Sequence, residues 1–255
     1  MRASKALLAI GGPTLTVIGL LGVWLLVEAA WGIPRYLLPT PGEVAEAAGA
    51  NMDLVLKSFG ATLKIIMSGF ILSILVAVPA GYCIARTKPG NYILYPILLV
   101  VQFIPKTILA PLLLVYLGIG FVPKTALVFL MTFFPLLMES ITGFRNIDER
   151  LYFTTRSMGA NWMQTFSFME LPAAMVHIYA GMRTAVVYAI TAAIVAEYVG
   201  SNEGVGFLIL YASSDLDMPL VFVGVLSASV LGVALSLAMS LFERLLLPWH
   251  HAQEK

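Results

Sequence analysis

The chain has 255 residues, 60% hydrophobic and 11% charged, against about 45–50% and 25% in soluble domains, which marks an integral membrane protein. A formal net charge of +1 leaves no basic footprint for nucleic acid. The lone Cys83 rules out a disulfide within the chain, and two of the three histidines (His177, His250, His251) sit in a polar tail, which disfavours a metal cluster.

Ala6–Trp31 is the first predicted span, with roughly 22 apolar residues at about 1.5 Å each against a hydrocarbon core of ~30 Å. Arg2 and Lys5 give it the basic start of a signal peptide. The apolar run is too long for one and no small-x-small cleavage site follows, so it is expected to stay as an anchor with Glu28 at its border. Gly32–Leu63 reads as a loop. Within it, Thr40-Pro41-Gly42-Glu43 combines a proline at the first helical position with capping-box spacing, predicting a short surface helix over Pro41–Gly49.

Lys64–Ala85 is the second predicted span, stopped by Arg86, Lys88 and Pro89. Tyr92–Leu117 is the third and is interrupted: Pro105 and Pro111 each remove a backbone donor, and Gln102 and Lys106 lie near mid-depth. Lys124–Gly143 is the fourth, with Pro135 and Glu139, and Ala173–Tyr198 the fifth, with Arg183 and Glu197. Gly200–Met218 is a short outer loop whose GVGFL piece dips back toward the membrane. Pro219–Phe242 is the last span, closed by Glu243-Arg244, with Trp249 at an interfacial position. The chain thus divides into an N-terminal anchor with outer loop (1–59), a core of five spans (60–249, including a loop at 144–172) and a tail (250–255).

Between the fourth and fifth spans lies Asn146–Pro172, the longest polar-rich interval in the second half. Asp148 can cap a helix starting at Glu149, and Gly159 ends it, because glycine alone takes a left-handed turn without steric penalty. Asn161 can cap a second short helix in which Trp162, Phe166 and Met169 make one apolar stripe, ended by Pro172. Two helices joined by a glycine bend, held between spans, suit insertion into another protein's groove.

Gly159, nine residues, then Met169-Glu170-Leu171-Pro172 resembles the cytoplasmic-loop signature of ABC importer permeases, Glu-Ala-Ala-x3-Gly-x9-Ile-x-Leu-Pro. The Glu-Ala-Ala positions are Phe153, Thr154 and Thr155 here, and Met169 replaces the isoleucine. LLPTPGEV, ATLKIIMSGF, FIPKTILAPLLLVYLGIG and GMRTAVVYAITAAIVAEYVG are similar to stretches of nitrate-, sulfonate- and taurine-type permeases, so the resemblance runs from about Leu37 to Trp249. It implies an all-α integral membrane fold of six transmembrane helices with a cytoplasmic coupling helix, like a type I ABC importer permease. It implies that Arg156, Met158, Gly159, Ala160, Trp162, Phe166, Met169, Leu171 and Pro172 serve coupling to an ATPase. The implied partners are two ATPase subunits, which would carry the ATP and Mg, an extracytoplasmic solute-binding protein and a second copy of this chain. No GxxxxGK[ST] occurs here, and there is no room for a catalytic domain, so the chain is expected to be a transport subunit and not an enzyme.

Basic residues set the orientation. With the N-terminus inside, one side collects Arg2, Lys5, Arg86, Lys88, Arg145, Arg150, Arg156, Arg244 and Lys255, and the other only Arg35, Lys57 and Lys124, with Lys64 at its border. The positive-inside rule places both termini and the Asn146–Pro172 loop in the cytoplasm of a bacterial inner membrane.

A charge at a helix centre costs roughly 2.5–3.5 kcal/mol and each leucine returns ~0.3–0.6, so a charge kept there needs a partner, a wet path or a bilayer edge. Gln102, Pro105 and Lys106 are expected at a broken helix lining a translocation path, or at a proline kink packed on a neighbour. Glu139 and Arg183 fall at comparable depths, as an ion pair or as solute contacts. Glu197 falls at the outer end of its span, as an interfacial carboxylate or part of an outer gate. The solute class stays open among nitrate, sulfonate, taurine and vitamin precursors. A self-sufficient ion-coupled carrier or channel would show an internal repeat with paired midplane carboxylates, and an intramembrane enzyme a Ser/His, paired-Asp or His-metal set; neither pattern is clear.

Overall fold

The computed structural model describes residues 15–16, 19, 22–27, 30, 34–35 and 37–246, which are helical or irregular with no strand among them. The expected first span, Ala6–Trp31, lies largely outside the described residues, as do Glu28, Trp249 and the 250–255 tail.

Helix α1 (Pro41–Ala50) begins as its sequence requires. The Thr40 hydroxyl accepts from the Glu43 N–H at 3.1 Å, and the Glu43 carboxylate accepts from the Thr40 N–H at 2.8 Å and from Arg35 at 3.1 Å. That backbone hydrogen bond, with Arg35 beside it, holds the Glu43 carboxyl below its ordinary value.

Helix α2 runs from Met52 to Arg86, which corrects the expectation of a loop up to Leu63. Thirty-five residues span about 52 Å, so the first turns stand beyond the ~30 Å hydrocarbon layer, where Asp53 and Lys57 face solvent without penalty. Hydropathy cannot see such turns. Packing fixes them, through buried Ser58 and Thr62 with Phe59 and Leu63 against the core.

The third segment is broken as expected. A π-turn (Gly90–Leu94) leads into α3 (Tyr95–Val101), the chain opens at Gln102–Pro105, and a 3-10 turn (Lys106–Ile108) leads into α4 (Leu109–Leu117). The two halves are bent by 69°. Pro105 sits at the break with extended ψ of 99°, whereas Pro111 breaks nothing: it lies in the first turn of α4, near the helix start.

Helix α5 (Phe121–Arg145) is the axis of the bundle, with Leu127, Val128, Leu136, Leu137, Ile141 and Phe144 fully buried. α2 lies against one side of it and the fifth span against the other. Both come close because glycines face it: a Cβ on Gly69 would stand 2.6 Å from Val128, one on Gly81 2.6 Å from Ser140, and one on Gly181 2.8 Å from Glu139.

After α6 (Glu149–Ser157) and the short α7 (Trp162–Thr165), a π-turn (Phe166–Glu170) runs straight into α8 (Leu171–Gly200). Pro172 therefore does not end the loop helix; Trp162–Gly200 is one helical run of 39 residues. The proline falls in the first turn of α8, just beyond the widened π-turn, where a missing N–H is tolerated. The outer segment folds as α9 (Val205–Ser214), laid against α8, α2 and α10 (Met218–Leu246). Among the described residues, four helices are long and apolar enough to cross a membrane, and the bent α3–α4 pair makes up to five.

Candidate functional site

The loop between α5 and α8 is built from three end-caps. Asp148 accepts from the Arg150 N–H at 2.9 Å and starts α6. At the other end the Gly159 N–H reaches the Arg156 carbonyl and the Ala160 N–H the Thr155 carbonyl, both at 3.0 Å, which closes a Schellman turn. That turn needs the left-handed backbone Gly159 adopts, φ +69°. Asn161 and Gln164 then form a reciprocal capping box, each bond 2.9 Å, that starts α7.

Trp162, Phe166 and Met169 share one face as expected, the Trp162 ring stacking on Phe166 at 6.1 Å between centroids, with burial deepening along the stripe. Phe166 turns inward onto Tyr82 and Phe144, and Met169 is buried in the core with Leu171 packed beside it. Trp162 stays at the tip, 65% exposed, beside Met158 (80%), Met163 (60%) and Phe168 (81%), with exposed Arg156 and half-buried Ala160 nearby in sequence. Phe168 escaped sequence reasoning because a helix stripe assumes 3.6 residues per turn and the π-turn it lies in breaks that period, and Met163 because it stands off the stripe, one residue after Trp162.

Within the membrane, Gln102, Pro105 and Lys106 come together on a cavity of about 290 Å³, walled also by Met131, Phe134 and Tyr188. Lys106 Nζ donates to the Gln102 carbonyl at 2.9 Å and lies 4.6 Å from the Phe134 ring centroid.

Glu139, Arg183 and Glu197 are not part of that cavity. Glu139 and Arg183 do not pair: the Glu139 carboxylate lies 3.7 Å from His177 Nδ1, and Arg183 is exposed on α8. Reversing both charges (Glu139→Arg with Arg183→Glu) is therefore expected to rescue neither single variant in an uptake assay. Recovery in the double variant would contradict this geometry.

Glu197 is buried inside the protein, with none of it exposed. Its carboxylate accepts from the Thr62 hydroxyl and from the Gly206 N–H, both at 2.7 Å, while the Thr62 oxygen accepts from the Val205 N–H at 2.8 Å. One carboxylate and one hydroxyl thus satisfy the first N–H groups of α9 and tie it to α2 and α8. Beside this knot, buried Lys124 donates to Ser201 at 2.9 Å and lies 3.6 Å from Glu203.

Long apolar helices, a broken span over a cavity and a stiff polar loop with an apolar tip define a polytopic membrane protein of the transport class. The chain belongs to the family of binding-protein-dependent transport system inner membrane components, whose sequence model matches residues 69–249. It is 31% identical over 245 residues to the formylaminopyrimidine transport permease protein ThiX of Halalkalibacterium halodurans, covering 94% of this chain and 96% of that one. It is 32% identical to the riboflavin transport system permease protein RibX of Chloroflexus aurantiacus (94% and 90% covered) and 29% to the taurine transport system permease protein TauC of Escherichia coli (92% and 88%). In fold it is similar to a chain of the inward-facing MetNI methionine ABC transporter, with a TM-score of 0.65 at 18% identity over 77% of this chain and 98% of that one. The chain is an ABC importer permease subunit, an inner-membrane transport component rather than an enzyme.

Proposed function

We propose that this chain, paired with a second copy, forms the path for a small solute and takes its motion from two copies of a separate ATPase docked on the α6–α7 loop. One observation carries the proposal. Met158, Trp162, Met163 and Phe168 are exposed on a loop fixed by three caps, and solvent-exposed apolar side chains on a rigid mount mark a protein-docking surface. ATP and Mg bind the ATPase, and closure of its two copies pushes the loops so that the spans rock between inward-open and outward-open states. An extracytoplasmic binding protein delivers the solute, and both termini and the docking loop face the cytoplasm, as the basic-residue asymmetry supports.

The cavity at the α3–α4 break is the proposed path, with Gln102, Pro105 and Lys106 on its wall. Phe134 and Tyr188 stand on the same wall, with the Lys106 ammonium over the Phe134 ring, so the solute class stays open among nitrate, sulfonate, taurine and vitamin precursors. Gln102→Phe is expected to abolish most uptake while leaving assembly with the ATPase intact; normal transport would remove the cavity from the path.

A cysteine at Ala160 is expected to cross-link to the ATPase in the assembled importer. No capture, or solute movement down an ion gradient by the purified chain alone, would overturn the proposal.

A further inference from the structure

The docking loop is fastened to α2 at two points one helical turn apart. At its tip, Trp162 Nε1 donates to the Tyr82 hydroxyl at 3.2 Å, and the Tyr82 ring stands edge-on to Phe166 at 4.9 Å between centroids. At its base, the buried Glu170 carboxylate lies 2.8 Å from the Arg86 guanidinium and accepts from the Tyr152 hydroxyl at 2.9 Å. The same guanidinium lies over the Tyr152 ring at 4.9 Å and 6.0 Å from the centroid of Tyr82. Tyr152 belongs to α6 and Glu170 closes the π-turn, so both arms of the loop meet on the last turn of α2.

We infer that Arg86 and Glu170 are positioning residues that pass displacement of the docking loop into α2, an inference that rests on the docking role proposed above. The second Glu170 oxygen is buried with no hydrogen-bond partner among the described residues, so Arg86 and Tyr152 are what the carboxylate has. Parting Arg86 from Glu170 would strand a buried charge, and the pair therefore moves as one body. α2 is a single helix of 35 residues whose outer half carries Thr62 in the Glu197 knot. α2 stays one continuous helix past Pro79, so a push at Arg86 is delivered along it to the outer ends of α8 and α9. Without the pair, the π-turn between Phe166 and Glu170 takes up the motion, and ATP is hydrolysed without moving the spans.

The test uses the complete importer, with ATPase and binding protein, reconstituted in vesicles. Two quantities are read: ATPase association with the permease, and solute moved per ATP hydrolysed. Glu170→Gln is expected to lower solute per ATP about 3- to 30-fold with association unchanged, and exchanging the charges (Arg86→Glu with Glu170→Arg) to restore part of it. Loss of association in step with loss of transport would show a merely structural contact and overturn the inference, as would an unchanged ratio. Should Glu170→Gln fail to fold, so that no permease is recovered, Tyr152→Phe, which removes one hydroxyl, carries the same comparison. Failure of docking itself is read separately, from absent cross-linking at Ala160→Cys with Arg86 and Glu170 intact.

Discussion

Glu197→Ala is expected to destabilise the folded chain by about 2–4 kcal/mol, although the residue lies in an apolar helix. The Gly206 N–H, which donates to Glu197 at 2.7 Å, would be left buried without an acceptor. Thr62 would lose the carboxylate that orders its hydroxyl, although that hydroxyl still has the Ser58 carbonyl at 3.1 Å. Glu197→Gln should behave differently. Its amide oxygen can accept from Gly206, its NH2 can donate to the Thr62 oxygen, and the Thr62 proton can turn to Ser58. Most of the stability should then survive. Thermal unfolding of the detergent-solubilised permease separates the two variants, and an alanine variant as stable as the parent would dismiss the knot as a structural element. Gly204→Ala should mimic the loss, since φ is +109° there and an added Cβ would collide with the Glu197 carboxylate.

Trp162→Ala is expected to weaken ATPase association about 30-fold, the effect of removing an anchor worth roughly 2 kcal/mol. The indole is 65% exposed, donates to the Tyr82 hydroxyl and stacks on the Phe166 ring at 6.1 Å between centroids, contacts at the loop surface whose loss leaves the buried core of the bundle intact. Phe166→Ala would be a poor substitute: that ring packs on Tyr82 and Phe144, and its loss would loosen the loop as well as the interface. Titrating ATPase onto immobilised permease measures the change. Unaltered affinity with a folded permease would mean that the tip is not what the ATPase grips.

The loop between α5 and α8 was legible because its signals are local. Asp148, Gly159 and Asn161 act through hydrogen bonds to backbone within a few residues, and the structure places each cap where the sequence predicts it. The broken span was legible for the same reason, since Pro105 removes its own N–H whatever surrounds it. Pro172 was misread because a proline ends a helix only when its missing N–H breaks a bond, and the π-turn before it depends on how Phe166 and Met169 seat in the core. Arg86 and Glu170 were missed as a pair: Arg86 read as the stop of a span, and Glu170 as a filler position within a motif.

What the amino-acid sequence determined by itself is most of the apolar spans after the first, the caps of the loop between α5 and α8, the break at Pro105 and the membrane as solvent, because backbone hydrogen bonding and hydropathy act over a turn or two. What only the tertiary structure decided is which polar side chains meet. Glu139 faces His177 rather than Arg183, and Glu197 caps the start of α9 from α8. A charge in an apolar helix must find a partner, but the partner stands on another helix, and glycine-mediated packing against α5 sets the rotation and depth that bring the two together.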